Sequence, residues 1–170
     1  KYEIKGEKAY DELQRLCTAN IKNEIGKWIY THMLNEGAGI ETDLTVVGID
    51  KNHFRIISAA AVRTHDKAHI LKHLSSDVEF KDITDDLVCL GVFGPKSRDL
   101  LSKICKDDLT NENFKFGYGK NITLNSANIW AQRLSYVGEL GFELYIENKD
   151  AKEIYNLIIK SGEQFKLSHC

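Results

Sequence analysis

The chain has 170 residues, with 23 Lys and Arg against 25 Asp and Glu, a net charge of −2. That balance leaves no basic footprint for tight nucleic-acid binding. The 42% hydrophobic and 28% charged content excludes intrinsic disorder, and no apolar run approaches the roughly 20 residues of a membrane span.

In chain order, YEIK reads as a short strand ending at Gly6, where the backbone is free to turn. A helix follows, with Leu13 and Leu16 at helical spacing. WIYTHML, ETDLTVVGI and HFRIISAAA read as extended segments, and THDKAHILKHL as an amphipathic helix with Thr64 as its N-cap. The series then begins again. A short strand runs to Gly94, and a helix carries Leu100, Leu101 and Ile104. ITLNSANIWAQRLSYV and GFELYIEN are extended, and DAKEIYNLIIKS closes as a helix capped by Asp150.

The second series repeats the first at an offset of 88 residues. Gly6 falls on Gly94, Lys8 on Lys96, Asp11 on Asp99, Leu13 on Leu101 and Cys17 on Cys105. The same offset sets Tyr30 on Tyr118 and Phe54 on Phe142. The expected architecture is α+β: two interleaved strand–helix–strands–helix units, about residues 1–88 and 89–170, in one largely antiparallel domain. With no linker between them, the halves are expected to share a core and to place a ligand cavity at their pseudo-twofold junction.

Four cysteines, Cys17, Cys89, Cys105 and Cys170, form no CxxC pair and read as free thiols in a reducing compartment. KYEIKGEKAY lacks the hydrophobic stretch of a signal peptide. The absence of an initiator Met and the ending SHC read as a fragment of a longer protein.

Two segments could carry chemistry. In LNEGAGIETDL, Glu41 and Asp43 follow Gly37 and Gly39 and alternate onto one strand face, with Leu44 and Val46 on the other. That face is either solvated or lines a pocket where carboxylates do acid–base or cation-stabilising work. In SYVGELGFELYI, Glu139 sits between Gly138 and Gly141. It is either an exposed hairpin-turn residue or a carboxylate that accepts two parallel N–H bonds from a flat ring. His65, His69 and His73 share a helical face at i, i+4, i+8, but no nearby Glu or Cys completes a metal site, and a solvated face is expected. Arg63 and Lys67 are positioned for an anionic tail if one is present.

YTHMLNEGAGIETDLTV, GVFGPKSRDLL and SYVGELGFELYI, in that order, resemble the signatures of the folate-dependent aminomethyltransferase family, the glycine cleavage T-protein and its relatives. The wording SYVGELG is most similar to the C-terminal folate module of dimethylglycine and sarcosine dehydrogenases. The resemblance implies a central cavity that takes the pterin of tetrahydrofolate. It also implies transfer of a one-carbon unit from an iminium, derived from a small N-methyl amine donor, to give 5,10-methylenetetrahydrofolate. FAD belongs to a separate flavin dehydrogenase domain of the same parent chain, if that chain has one. The family's catalytic aspartate falls on Asp43 and its pterin-binding glutamate on Glu139. Tyr30 and Ile57 match pocket positions, and Tyr136 matches the motif tyrosine. Two features depart from the pattern: Ala59 stands where many T-proteins have asparagine, with Ser58 beside it, and the family's folate-binding arginine would lie beyond Cys170. Alternatives are a folate-dependent demethylase with another methyl donor and a non-catalytic folate-binding or regulatory module. Either enzyme is expected in bacterial cytoplasm or mitochondrial matrix.

Overall fold

The computed structural model describes residues 1–170. The chain divides into two compact units, Lys1–Thr84 and Asp85–Cys170. Both are α+β, with strands and helices interleaved along the chain and every paired strand antiparallel to its neighbours.

The first unit runs β1 (Tyr2–Lys5), α1 (Ala9–Leu16), β2 (Trp28–Leu34), β3 (Ile40–Asp50), β4 (His53–Ser58), α2 (Arg63–His73) and β5 (Glu79–Asp82), with sheet order β2-β3-β4-β1-β5. Alternation explains its core. Tyr2 and Ile4, Leu44 and Val46, and Phe54 and Ile56 point to one face and are buried with Leu13 of α1 and Ile70 of α2. Register brings them together: Tyr2 lies opposite Ile56, Ile4 opposite Phe54, and Val46 opposite Ile56. Each of these aliphatic side chains contributes roughly 1.5–3 kcal/mol by leaving water.

The second unit runs β6 (Leu87–Phe93), α3 (Ser97–Ile104), β7 (Gly119–Leu124), β8 (Ala127–Arg133), β9 (Gly141–Glu147) and α4 (Asn148–Gly162), with sheet order β6-β9-β8-β7. Val92, Ile122, Ile129, Ala131, Phe142, Leu144 and Ile146 make its core against Leu100 and Leu101 of α3 and Ile154 and Ile158 of α4.

The repeat is structural as well as sequential, because β7-β8-β9-β6 reproduces the order β2-β3-β4-β1. Its details recur at corresponding residues. Gly6 and Gly94 both take positive φ, 135° and 116°. Their carbonyls accept the amides of Ala9 and Ser97, both at 3.0 Å, and their own amides donate to Asn52 and Leu140. In this conformation glycine avoids the Cβ clash of other residues.

Several expectations are corrected. The buried apolar residues form two clusters, one in each unit, rather than one shared core. Each sheet has its own helices over one face, so each half buries its own apolar stripe. Thr64 lies within α2, whose cap position is Val62, and the cap position of α4 is Glu147. Asp150 sits in the first turn of α4, where its charge still favours the helix N-terminus. HFRIISAAA leaves the sheet after Ser58 and turns through a short 3₁₀ segment, Ala60–Val62. ITLNSANIWAQRLSYV breaks at Asn125, whose left-handed φ of 55° makes a turn between β7 and β8. Tyr118 is not the counterpart of Tyr30. Bridges pair Cys17 with Met33 and Cys105 with Leu124, so the second connection is three residues longer and Tyr118 falls before β7.

Candidate functional site

The outward face of the first sheet carries three of the five residues expected at a site. Tyr30 of β2 lies opposite Thr45 of β3, which lies opposite Ile57 of β4. This row spans about 10 Å across three strands. Tyr30 is 55% exposed and Ile57 half-buried. Asp43 is two residues from Thr45 on the same face, exposed, and directly opposite His32. The Tyr30 hydroxyl and His32 Nε2 are 3.3 Å apart, with their rings edge to face at 5.2 Å. The expected alternation holds, since Leu44 and Val46 are buried in the core on the opposite face from Asp43. An aromatic ring, a hydroxyl and an aliphatic group in one row suit a flat heterocycle, and a carboxylate at its end suits a cationic or proton-exchanging centre.

Glu41 shares the outward face with Asp43 but is tied down. Asn35 Nδ2 donates to Glu41 Oε1 at 2.7 Å, and His65 Nε2 lies 3.1 Å from Oε2. Asn35 and then His65 hold this carboxyl below its ordinary range. The Asn35 side chain also accepts the amides of Gly37 and Gly39, so it organises the β2–β3 hairpin as well. Only Asp43 of the pair is presented to solvent without such a clasp.

Below the Tyr30 row the same face is ionic and buried. Glu3 Oε1 accepts from Arg55 Nη2 at 2.8 Å, and Glu3 Oε2 lies 3.1 Å from His53 Nε2. Burial alone would push Glu3 upward. The hydrogen bonds and charge of His53 and Arg55 outweigh it and hold the carboxyl at about 2. Arg55 is two residues from Ile57, so this cluster fixes the part of β4 that carries the row.

Tyr136 and Glu139 belong to the second unit, on the loop of residues 134–140 between β8 and β9. Tyr136 is 86% exposed, and Glu139 is also exposed. Gly138, with φ of 80°, turns the loop immediately before Glu139.

The histidine row is only partly a solvated face. His65 reaches Glu41, and the His69 and His73 rings lie 4.8 Å apart. These last two line a cavity of about 570 Å³ with Asn35, Glu36, Glu41 and Lys72. No group of three or more His, Cys, Asp or Glu side chains is placed to hold a metal ion. Arg63 and Lys67 both engage Asp82, at 3.0 and 3.4 Å. They are therefore committed within the unit rather than reserved for an anionic tail. No helix is long and apolar enough to cross a membrane.

Sequence reasoning passed over His32, and also Gln132, Glu143 and Tyr145 on the non-core face of the second sheet. The available signal was the alternation in GFELYIE, which puts Glu143 and Tyr145 opposite Phe142, Leu144 and Ile146.

Comparison with known proteins agrees with this architecture. The chain is 34% identical over 167 residues to rat mitochondrial dimethylglycine dehydrogenase, covering 96% of this chain and 19% of that protein. It is 32% identical over 169 residues to the formaldehyde-forming 4-methylaminobutanoate oxidase of Paenarthrobacter nicotinovorans, covering 98% of this chain and 20% of that one. The chain thus spans about a fifth of the length of these two curated relatives. Its fold matches the glycine cleavage system aminomethyltransferase T of Bartonella henselae, with a TM-score of 0.80 at 22% identity, over 93% of this chain and 42% of that one. The model of the GCVT N-terminal domain matches residues 1–170. The chain therefore belongs to the GCVT N-terminal domain family, the folate-binding aminomethyltransferase domains of the glycine cleavage T-protein and its dehydrogenase relatives.

Proposed function

We propose that this chain is the tetrahydrofolate-binding part of an enzyme that transfers a one-carbon unit from an N-methyl amine to folate. The observation that carries this reading is the shared face of Tyr30, Thr45, Ile57 and Asp43 across β2, β3 and β4. Bound tetrahydrofolate supplies the nucleophilic nitrogens that take up the one-carbon unit. Tyr30 and Ile57 would flank its flat ring. Asp43 would stand beside the reacting nitrogens, stabilise positive charge on the incoming iminium and hold a proton. His32, directly across from Asp43, would orient that carboxylate's surroundings. Glu139 would accept paired N–H groups of the pterin, with Tyr136 beside it on the same loop.

The two curated relatives are named for N-methyl amino acids, which supports an N-methyl amino acid as the donor class. In the whole protein, a flavin dehydrogenase domain carrying FAD would oxidise the N-methyl group and deliver the iminium. The cellular setting is bacterial cytoplasm or mitochondrial matrix. We take residues 1–170 as one folate-binding domain with two internal repeats.

The test uses the full-length parent, with tetrahydrofolate titrated by calorimetry and transfer assayed separately. Asp43→Asn should abolish transfer while leaving affinity within about threefold. Glu139→Ala should weaken affinity by about ten- to a hundredfold. Unchanged transfer in the first variant removes Asp43 from the chemistry. An unchanged dissociation constant in the second removes Glu139 from the pterin site.

A further inference from the structure

The turn end of the β2–β3 hairpin is not anchored by apolar packing. Leu34 and Ile40 lie opposite each other there, and both are exposed. Asn35, Glu36 and Glu41 of this end face His69 and His73 of α2 across the cavity of about 570 Å³. The ladder also changes register here. Met33 pairs with Thr42 and Leu34 with Ile40, so Glu41 is an extra residue in β3 with no counterpart in β2. A bulge of this kind bends its strand and re-aims the side chains beside it. Asp43 is two residues further on, so its direction depends on how the bulge is held.

Side chains hold it. Asn35 Nδ2 donates to Glu41 Oε1 at 2.7 Å, and His65 Nε2 lies 3.1 Å from Glu41 Oε2. The other ring nitrogen of His65, Nδ1, lies 3.3 Å from Asp66 Oδ1. Asp66 is buried in α2, and its Oδ2 has no hydrogen-bond partner. A buried carboxylate with one oxygen unmet favours a donor at the other. His65 therefore bridges a carboxylate buried in α2 to the carboxylate at the bulge of β3. Asn35 carries the connection into the turn, where its Oδ1 accepts the amides of Gly37 and Gly39 at 3.0 and 2.9 Å.

We infer that His65 is a positioning residue for one-carbon transfer: it clasps the Glu41 bulge to α2 and so sets the aim of Asp43. It acts through Glu41 and does not touch the reacting atoms. This rests on the folate reading above, in which Asp43 stands beside the reacting nitrogens. The His65 side chain is 55% exposed, so the clasp adds little to global stability. Its effect falls on the fraction of molecules with Asp43 correctly aimed, and that fraction governs the rate of transfer rather than the affinity for folate.

The experiment uses the full-length parent and measures kcat for transfer, tetrahydrofolate affinity by calorimetry, and a thermal melt for each variant. His65→Ala should lower kcat by about three- to tenfold and leave affinity within about twofold, with little change in the melt. Amide exchange across residues 34–44 should quicken in the same variant. Glu41→Ala should lower kcat in the same way, and the double variant should lose no more than the larger single loss, because both act through one contact. Unchanged kcat or unchanged exchange in folded His65→Ala overturns the clasp. So do losses that multiply in the double variant, or a loss of affinity in place of rate. Each of these outcomes spares the folate reading. Full transfer by Asp43→Asn overturns the role of Asp43 and this inference with it.

Discussion

The buried Glu3–Arg55–His53 cluster makes stability depend on pH in a definite window. Glu3 sits at about 2 in the folded chain against an ordinary value of 4.5. Its side chain and that of Arg55 are each only 11% exposed, so solvent screening is slight. A carboxyl depressed on folding stabilises fully above its unfolded value, and the contribution disappears as pH falls through the folded value. At about 1.4 kcal/mol for each pH unit, Glu3 is worth about 3 kcal/mol at pH 6 and little near pH 2. Glu3→Gln removes the anion beside a buried guanidinium and should cost a similar 3–5 kcal/mol at pH 6. The assay is urea unfolding of the wild type and Glu3→Gln at intervals from pH 6 to 2.5. The gap between them should close by at least 1.5 kcal/mol on acidification (about half the estimated contribution). A gap that stays constant across this range would refute the assignment, since the variant shares every other titrating group with the wild type.

Gly141→Ala should lower stability by about 1–3 kcal/mol, because the new Cβ meets both the Phe93 ring and, at 2.9 Å, the Leu134 carbonyl. A thermal melt superimposable on wild type would mean that the ring and loop move aside freely. Cys17 is buried, and burial pushes its thiol up to about 12. A thiol reagent at pH 8 should therefore modify exposed Cys89 and Cys170 quickly and Cys17 only in denaturant. Rapid native labelling of Cys17, read by peptide mass, would contradict its placement.

Much of the fold could be read from periodicity. Leu44 and Val46 against Asp43, and Leu13 in α1, follow from spacings that alternate or turn at fixed intervals. The repeat could be read because Gly6 and Gly94 hold the same unusual backbone. What escaped has identifiable causes. β5 is a four-residue strand whose Glu79 and Lys81 look like loop residues, and it exists because β1 offers it an edge. The Tyr30–Tyr118 match failed because a fixed offset cannot register an insertion. Glu3 and Arg55 are 52 residues apart in sequence, and only the β1–β4 pairing makes them partners. Among the candidate residues, Asp43 and Glu139 could each be proposed from a local motif, because each follows a glycine-bearing turn.

The two copies of the repeated unit are not equally sealed. β1 is flanked by β4 and β5, whereas its counterpart β6 has β9 on one side and stands at the end of its sheet. Every backbone amide of an interior strand is occupied by a neighbour, while half of those on a terminal strand trade hydrogen bonds with water. The repeated unit has therefore kept its strand order without keeping its neighbours. The first copy has a partner on each side of its N-terminal strand, and the second leaves one side of that strand outside its own sheet.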